Sequence, residues 1–128
     1  MAVSYVLVGR GNPGNANVPK KFYAQAKSRN ELTFKKLSKE IAESSTTVSD
    51  SDVLAVLNDL TKVLRRHLEN GEIVRFGDFG SFQIGINSEG AETEDKFHVS
   101  MIKKSKVIFR PGVDLKEILP NLKFEKIK

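Results

Sequence analysis

One amphipathic stripe constrains this chain more than any other feature. Val53, Val56, Leu57, Leu60, Val63, Leu64 and Leu68 recur at three- and four-residue spacing, which lines them up along one side of a helix about five turns long. Ser49 is placed to cap its start, with Asp52 three residues on and Val48 and Val53 spaced as a hydrophobic staple. Asn70-Gly71 supplies a left-handed stop. The preceding helix, capped by Thr33 and carrying Phe34, Leu37 and Ile41 before ending near Ser44, is only about three turns long. So short a neighbour leaves much of the stripe uncovered, and a sheet or a second subunit must pack on it.

The chain has 128 residues and no cysteine, which allows one small core and excludes a disulfide framework, a thiolate metal site and a thiol nucleophile. Its longest apolar run, Val53 to Leu57, is far short of the roughly 20 residues needed to span a bilayer. Met1 to Arg10 lacks the basic start and apolar stretch of a secretory signal, so the expected location is the cytoplasm. The net charge is +5, mild for a polyanion binder, but it is unevenly spread. Residues 1 to 31 sum to +4, residues 32 to 95 to −5 and residues 96 to 128 to +6. Two basic ends flank an acidic middle.

Around the helices the pattern has the period of strands. Tyr5 to Val8 is short and β-rich, Gly9 to Pro19 is a glycine-, proline- and asparagine-rich turn, and Phe22, Ala24 and Ala26 alternate with polar residues. This predicts two N-terminal strands joined by a long turn. After Gly71, Ile73 and Val74 and then Phe82, Ile84 and Ile86 predict antiparallel strands around Gly77-Asp78-Phe79-Gly80. Asn87 to Asp95, with Glu89, Glu92, Glu94 and Asp95, reads as a solvated connection. Phe97, Val99 and Met101 read as a third strand, interrupted by Lys103, Lys104 and Lys106 before Val107 to Arg110. Pro111-Gly112 then opens a short helix, Val113 to Leu119, stopped by Pro120, and Leu122 to Lys128 is a tail able to pair with the N-terminal strands.

Catalytic signatures fail on context. Gly9-Arg10-Gly11-Asn12-Pro13-Gly14 fits a dinucleotide-binding glycine pattern, but no helix follows to face a pyrophosphate. Asp78-Phe79-Gly80 spells a kinase triplet with none of the surrounding kinase elements. His67 and His98 stand about thirty residues apart with no cysteine and no obvious carboxylate constellation, so they read as surface or interface side chains rather than ligands or bases. The expectation is a protein that is not an enzyme.

Three strings in order are informative: Leu37-Ser38-Lys39-Glu40-Ile41-Ala42, then Val74-Arg75-Phe76-Gly77-Asp78-Phe79-Gly80-Ser81-Phe82, then Val107-Ile108-Phe109-Arg110-Pro111-Gly112-Val113-Asp114-Leu115-Lys116. Their succession resembles the HU and integration host factor family of bacterial histone-like DNA-binding proteins, and the extended N-terminus is similar to the HU-like variants of Bacteroidetes. The resemblance implies an α+β, intertwined homodimer. Two N-terminal helices and an antiparallel β-saddle with a short arm precede a C-terminal helix, and N- and C-terminal strands are added. The implied partner is double-stranded DNA, bound in the nucleoid through phosphates and DNA deformability with little sequence preference. No cofactor, metal, small-molecule substrate or membrane is implied. By position, Lys103, Lys104, Lys106, Arg110 and Arg75 are the expected DNA contacts, and Leu57, Leu60, Leu64, Phe79, Phe82 and Phe109 the expected dimer core.

The expected organisation is a β extension over 1–31, an HU-like DNA-binding domain over 32–119 and a tail over 120–128. The family's arm usually carries arginines and an Arg-Asn-Pro tip, whereas Asn87 to Asp95 is acidic and has no proline, and Asp78 stands where the family commonly has glycine. Four carboxylates near phosphates repel them. The alternative is therefore a protein interaction or assembly module that has kept the fold and lost the DNA-gripping arm.

Overall fold

A computed structural model describes residues 1–15, 17–44 and 47–127. Ala16, in the expected first turn, and Lys128, at the end of the expected tail, lie outside the described residues. In chain order the elements are β1 (Val3–Arg10), β2 (Lys21–Lys27), α1 (Phe34–Ser44), α2 (Asp50–Glu69), β3 (Val74–Phe76), β4 (Gly80–Ser88), β5 (Ile102–Pro111), α3 (Val113–Ile118) and β6 (Phe124–Lys126). Both long helices begin where their caps predict. The Lys36 N–H donates to Thr33 Oγ1 at 3.4 Å and the Asp52 N–H to Ser49 Oγ at 3.2 Å, each satisfying a donor that the helix itself leaves free. At the far end of α2, Gly71 adopts φ +77° and its N–H donates to Leu68 O at 3.0 Å, closing the last turn.

The strands form two three-stranded sheets. In the first, β1 lies between β2, antiparallel to it, and β6, parallel to it, so the N-terminal hairpin and the C-terminal strand close into one unit. Arg29 ties them: its Nε donates to Ser4 Oγ at 2.9 Å and its guanidinium reaches Glu125 at 3.0 Å. The second sheet is the meander β3-β4-β5, antiparallel throughout. Helix α2 lies against β3 and β4, and α3 against β4 and β5.

The meander departs from expectation at its far end. Phe97, Val99 and Met101 are not a strand. Two 3-10 turns, Glu94–Lys96 and Val99–Met101, occupy that stretch, with the Phe97 N–H donating to Glu94 O at 3.2 Å and the Met101 N–H to His98 O at 2.9 Å. Nor do the lysines interrupt anything. Lys103, Lys104 and Lys106 lie inside the ten-residue β5, where pairing with β4 supplies the hydrogen bonds and overrides their low strand propensity. Asn87, assigned to the connection, is paired with Lys104 inside β4. After α3 the chain continues through Leu119–Asn121 as a 3-10 turn that includes Pro120.

Two glycines hold the meander's turn. At Gly80 an added Cβ would lie 2.6 Å from the Phe109 ring, and at Gly112 it would run into the Asp78 carbonyl. That carbonyl accepts the Asp114 N–H at 3.0 Å while Phe79 O accepts the Gly112 N–H at 2.8 Å, so the β3–β4 turn is bonded to the entrance of α3. The core of the single chain stays open. Val53 is the buried large hydrophobic residue among those described, while Leu60, Ile86, Val107 and Phe109 are exposed.

Candidate nucleic-acid interface

Alternation along the strands divides the meander into two unlike faces, because directly opposed residues of neighbouring strands share a face. On one face the rows are Arg75, Ser81 and Arg110; then Gln83 and Ile108; then Gly85 and Lys106; then Asn87 and Lys104. The other face carries Val74, Phe76, Phe82, Ile84, Ile86, Val107 and Phe109. Polar and basic residues thus occupy one surface, and branched and aromatic residues the other.

Four of the five cations named from the sequence, Arg75, Lys104, Lys106 and Arg110, share the polar face. Lys104 to Arg110 spans seven residues of β5, a cationic track about 20 Å long at the usual rise of a strand. Among the described residues no ion pair engages these four side chains. Near the end of the track Arg75, Ser81, Gln83 and Arg110 help line an open hollow of 260 Å³. Gly85 keeps the centre of the face low and leaves room for Ile108, whose Cδ1 would be only 2.6 Å from an added Cβ.

Lys103 does not join them. The register shifts between Asn87 and Ser88, so that Asn87 opposes Lys104 and Ser88 opposes Ile102, and Lys103 is the extra residue of a bulge. Its ammonium lies 3.4 Å from Glu89. The bulge, and not alternation along β5, sets Lys103 apart from Lys104. Sequence reasoning passed over Ser81, Gln83 and Asn87, which the register sets beside the cations.

The end of the β4–β5 ribbon is acidic. Glu92 pairs with Lys96 at 3.3 Å, and the Thr93 side chain, with Asp95's own backbone N–H, holds the Asp95 carboxyl below its ordinary range by hydrogen bonds to its charged form. No group of three or more metal-ligating side chains occurs among the described residues, and no described helix is long and apolar enough to cross a membrane.

On the opposite face the expected dimer aromatics meet. Phe82 and Phe109 have ring centroids 4.9 Å apart, and Phe79 lies 6.1 Å from Phe109. Phe76, which sequence reasoning left out of the group, joins Phe82 edge-on at 5.3 Å. Leu57 and Leu64 are half-buried, while Leu60 remains 40% exposed in the single chain.

Known proteins resemble this chain over the same elements. A family model described as an HU domain fused to a wHTH, Ig or glycine-rich motif matches residues 1–126. Integration host factor subunit alpha of Vibrio atlanticus (strain LGP32) is 35% identical over 65 residues, 49% of this chain and 66% of that protein. A crystal structure from Bacteroides vulgatus ATCC 8482, described as that of a candidate bacterial DNA-binding protein, matches with a TM-score of 0.64 at 14% identity, over 98% of this chain and 48% of that one. At that identity the likeness is one of fold. The chain spans just under two thirds of the curated relative and about half of the structural neighbour.

Proposed function

The chain belongs to the HU-HIG family, an HU/IHF-like family of DNA-binding proteins, and from that premise we propose that it is an architectural protein which binds duplex DNA as a dimer with little sequence preference. The observation that carries the reading is the division of the meander. Arg75, Lys104, Lys106 and Arg110 form one unpaired cationic face, and aromatic and branched side chains form the other. Lysine and arginine on an exposed sheet contact phosphates without reading base edges, which favours binding over sequence discrimination. The residues between 32 and 119 supply this unit; those of 1–31 and 120–128 extend it.

Surface area supports dimerisation. The single chain exposes 10991 Å², whereas a compact monomer of its mass exposes about 6,800 Å². Half-buried Leu57 and Leu64, exposed Leu60, and Phe79, Phe82 and Phe109 contribute to the apolar part of that excess. An identical subunit that covers them by intertwining completes the core, as obligate dimer interfaces do. The nucleoid is where such a protein works.

A second reading is favoured by the acidic β4–β5 end: an assembly module that keeps the fold and binds a basic protein partner. Titration of random-sequence duplexes at several salt concentrations separates the two. The DNA reading expects similar affinities on unrelated sequences and a log–log salt slope steeper than about −3. A protein that is not retained on DNA at 50 mM salt would leave the assembly reading in its place.

A further inference from the structure

The two β-ribbons of the molecule have opposite electrostatic character. The β4–β5 end carries Glu89, Glu92, Glu94 and Asp95, whereas residues 1–30 hold five cationic side chains and no carboxylate. The β1–β2 register sets Arg10 directly opposite Lys21, Val8 opposite Tyr23, and Ser4 opposite Lys27. Arg10, Lys21, Tyr23 and Lys27 therefore share one face, all exposed, and Lys21 to Lys27 gives a track about 20 Å long. This matches the length of the track from Lys104 to Arg110.

Two like charges directly opposed across a strand pair destabilise it, and among the described residues neither Arg10 nor Lys21 has an ion-pair partner. Edge protection explains lysines on β2, since β2 is an edge strand and cations there discourage pairing with other chains. It does not explain why Arg10 and Lys21 are set directly opposite each other with no carboxylate in either strand. An anionic partner does. Beside the pair, Arg10, Lys21 and Tyr23 also help line an open hollow of 470 Å³, which leaves the side chains free to meet a surface.

We propose that the β1–β2 hairpin is a second phosphate-contacting ribbon for duplex DNA, with Arg10 and Lys21 at its end and Lys27 further along the same face. It takes the backbone contacts that the acidic β4–β5 end repels. Tyr23, between the cations, offers its hydroxyl to a phosphate or sugar oxygen. This inference rests on the DNA-binding reading above, and it adds a site outside the meander.

The test is a salt titration of the full chain on random-sequence duplex DNA, comparing the unaltered protein with Arg10→Gln/Lys21→Gln. The expected result is a log–log slope shallower by about two units for each hairpin on the duplex and an affinity lower by roughly tenfold at 100 mM salt. The thermal midpoint without DNA does not fall, because a repulsion has been removed. Unchanged slope and affinity, while the unaltered protein binds, would overturn the hairpin site and leave the proposed function standing. Failure of the unaltered protein to bind withdraws both. If circular dichroism shows the double variant unfolded, Lys21→Gln alone on the exposed edge strand is used, with half the slope change expected and no change overturning the site.

Discussion

The two faces of the β3-β4-β5 meander are made from the same strands, residue by residue in alternation, yet they differ in chemistry and in the roles proposed for them. One presents Arg75, Lys104, Lys106 and Arg110; the other presents Phe76, Phe82, Ile84, Val107 and Phe109. Hydrophobic burial is large and non-directional, so in the proposed dimer the apolar face sets assembly and stability. The cationic face gains little in folding, because exposed charges contribute at most about 1 kcal/mol each, and is free to be selected for its ligand. Assembly and binding are thereby separable by substitution within single strands.

The largest effect is expected where that separation is broken on the apolar side. Leu60→Asp places a carboxylate in the proposed dimer core, at a cost of several kcal/mol, comparable to the stability of a small domain of about 5–15 kcal/mol. Light scattering and circular dichroism should show loss of dimer and fold together. A folded monomer at micromolar concentration would show that the stripe is not an interface. Gly80→Ala is expected to cost less, about 1–3 kcal/mol, because the added methyl meets both the Phe109 ring and the Arg110 carbonyl and strains the β4–β5 pairing. Thermal melting should register a fall of roughly 4–8 °C per kcal/mol, with the salt slope of the folded protein unchanged.

Smaller effects sharpen the contrast on the polar side. Lys103 is held by Glu89 at 3.4 Å, so Lys103→Gln should alter DNA affinity by less than about threefold, the loss of one exposed pair. Glu92→Gln/Glu94→Gln removes charges that repel phosphates, and filter retention should show equal or modestly tighter binding. Abolished binding in that variant would make the acidic segment itself the contact surface and favour a basic protein partner.

The order of the elements was largely legible in the sequence, whereas the division of the meander was not. Ser49, Thr33 and Asn70-Gly71 mark the helices because caps are local chemistry, and Phe22, Ala24 and Ala26 mark β2 because alternation is local too. Phe97, Val99 and Met101 misled for the same reason: they alternate, but hydrogen bonds within residues 93–101 turn the chain before β5 begins. Lys103, Lys104 and Lys106 looked like an interruption because strand propensity undervalues lysine, whereas β4 supplies the pairing. The bulge that separates Lys103 from Lys104 depends on register across two strands, which no single segment encodes. The opposed charges of Arg10 and Lys21 likewise emerge only once β1 and β2 are paired.

The central claim is that the cationic face binds and the apolar face assembles, each without the other. The most direct measurement is the salt dependence of random-duplex binding by Lys104→Glu/Lys106→Glu, with the mass of the same sample read by light scattering. The account predicts a slope shallower by about two to four units, as expected for two lost phosphate contacts per subunit, at an unchanged dimer mass. An unchanged slope in a protein that remains dimeric and bound to DNA would contradict it.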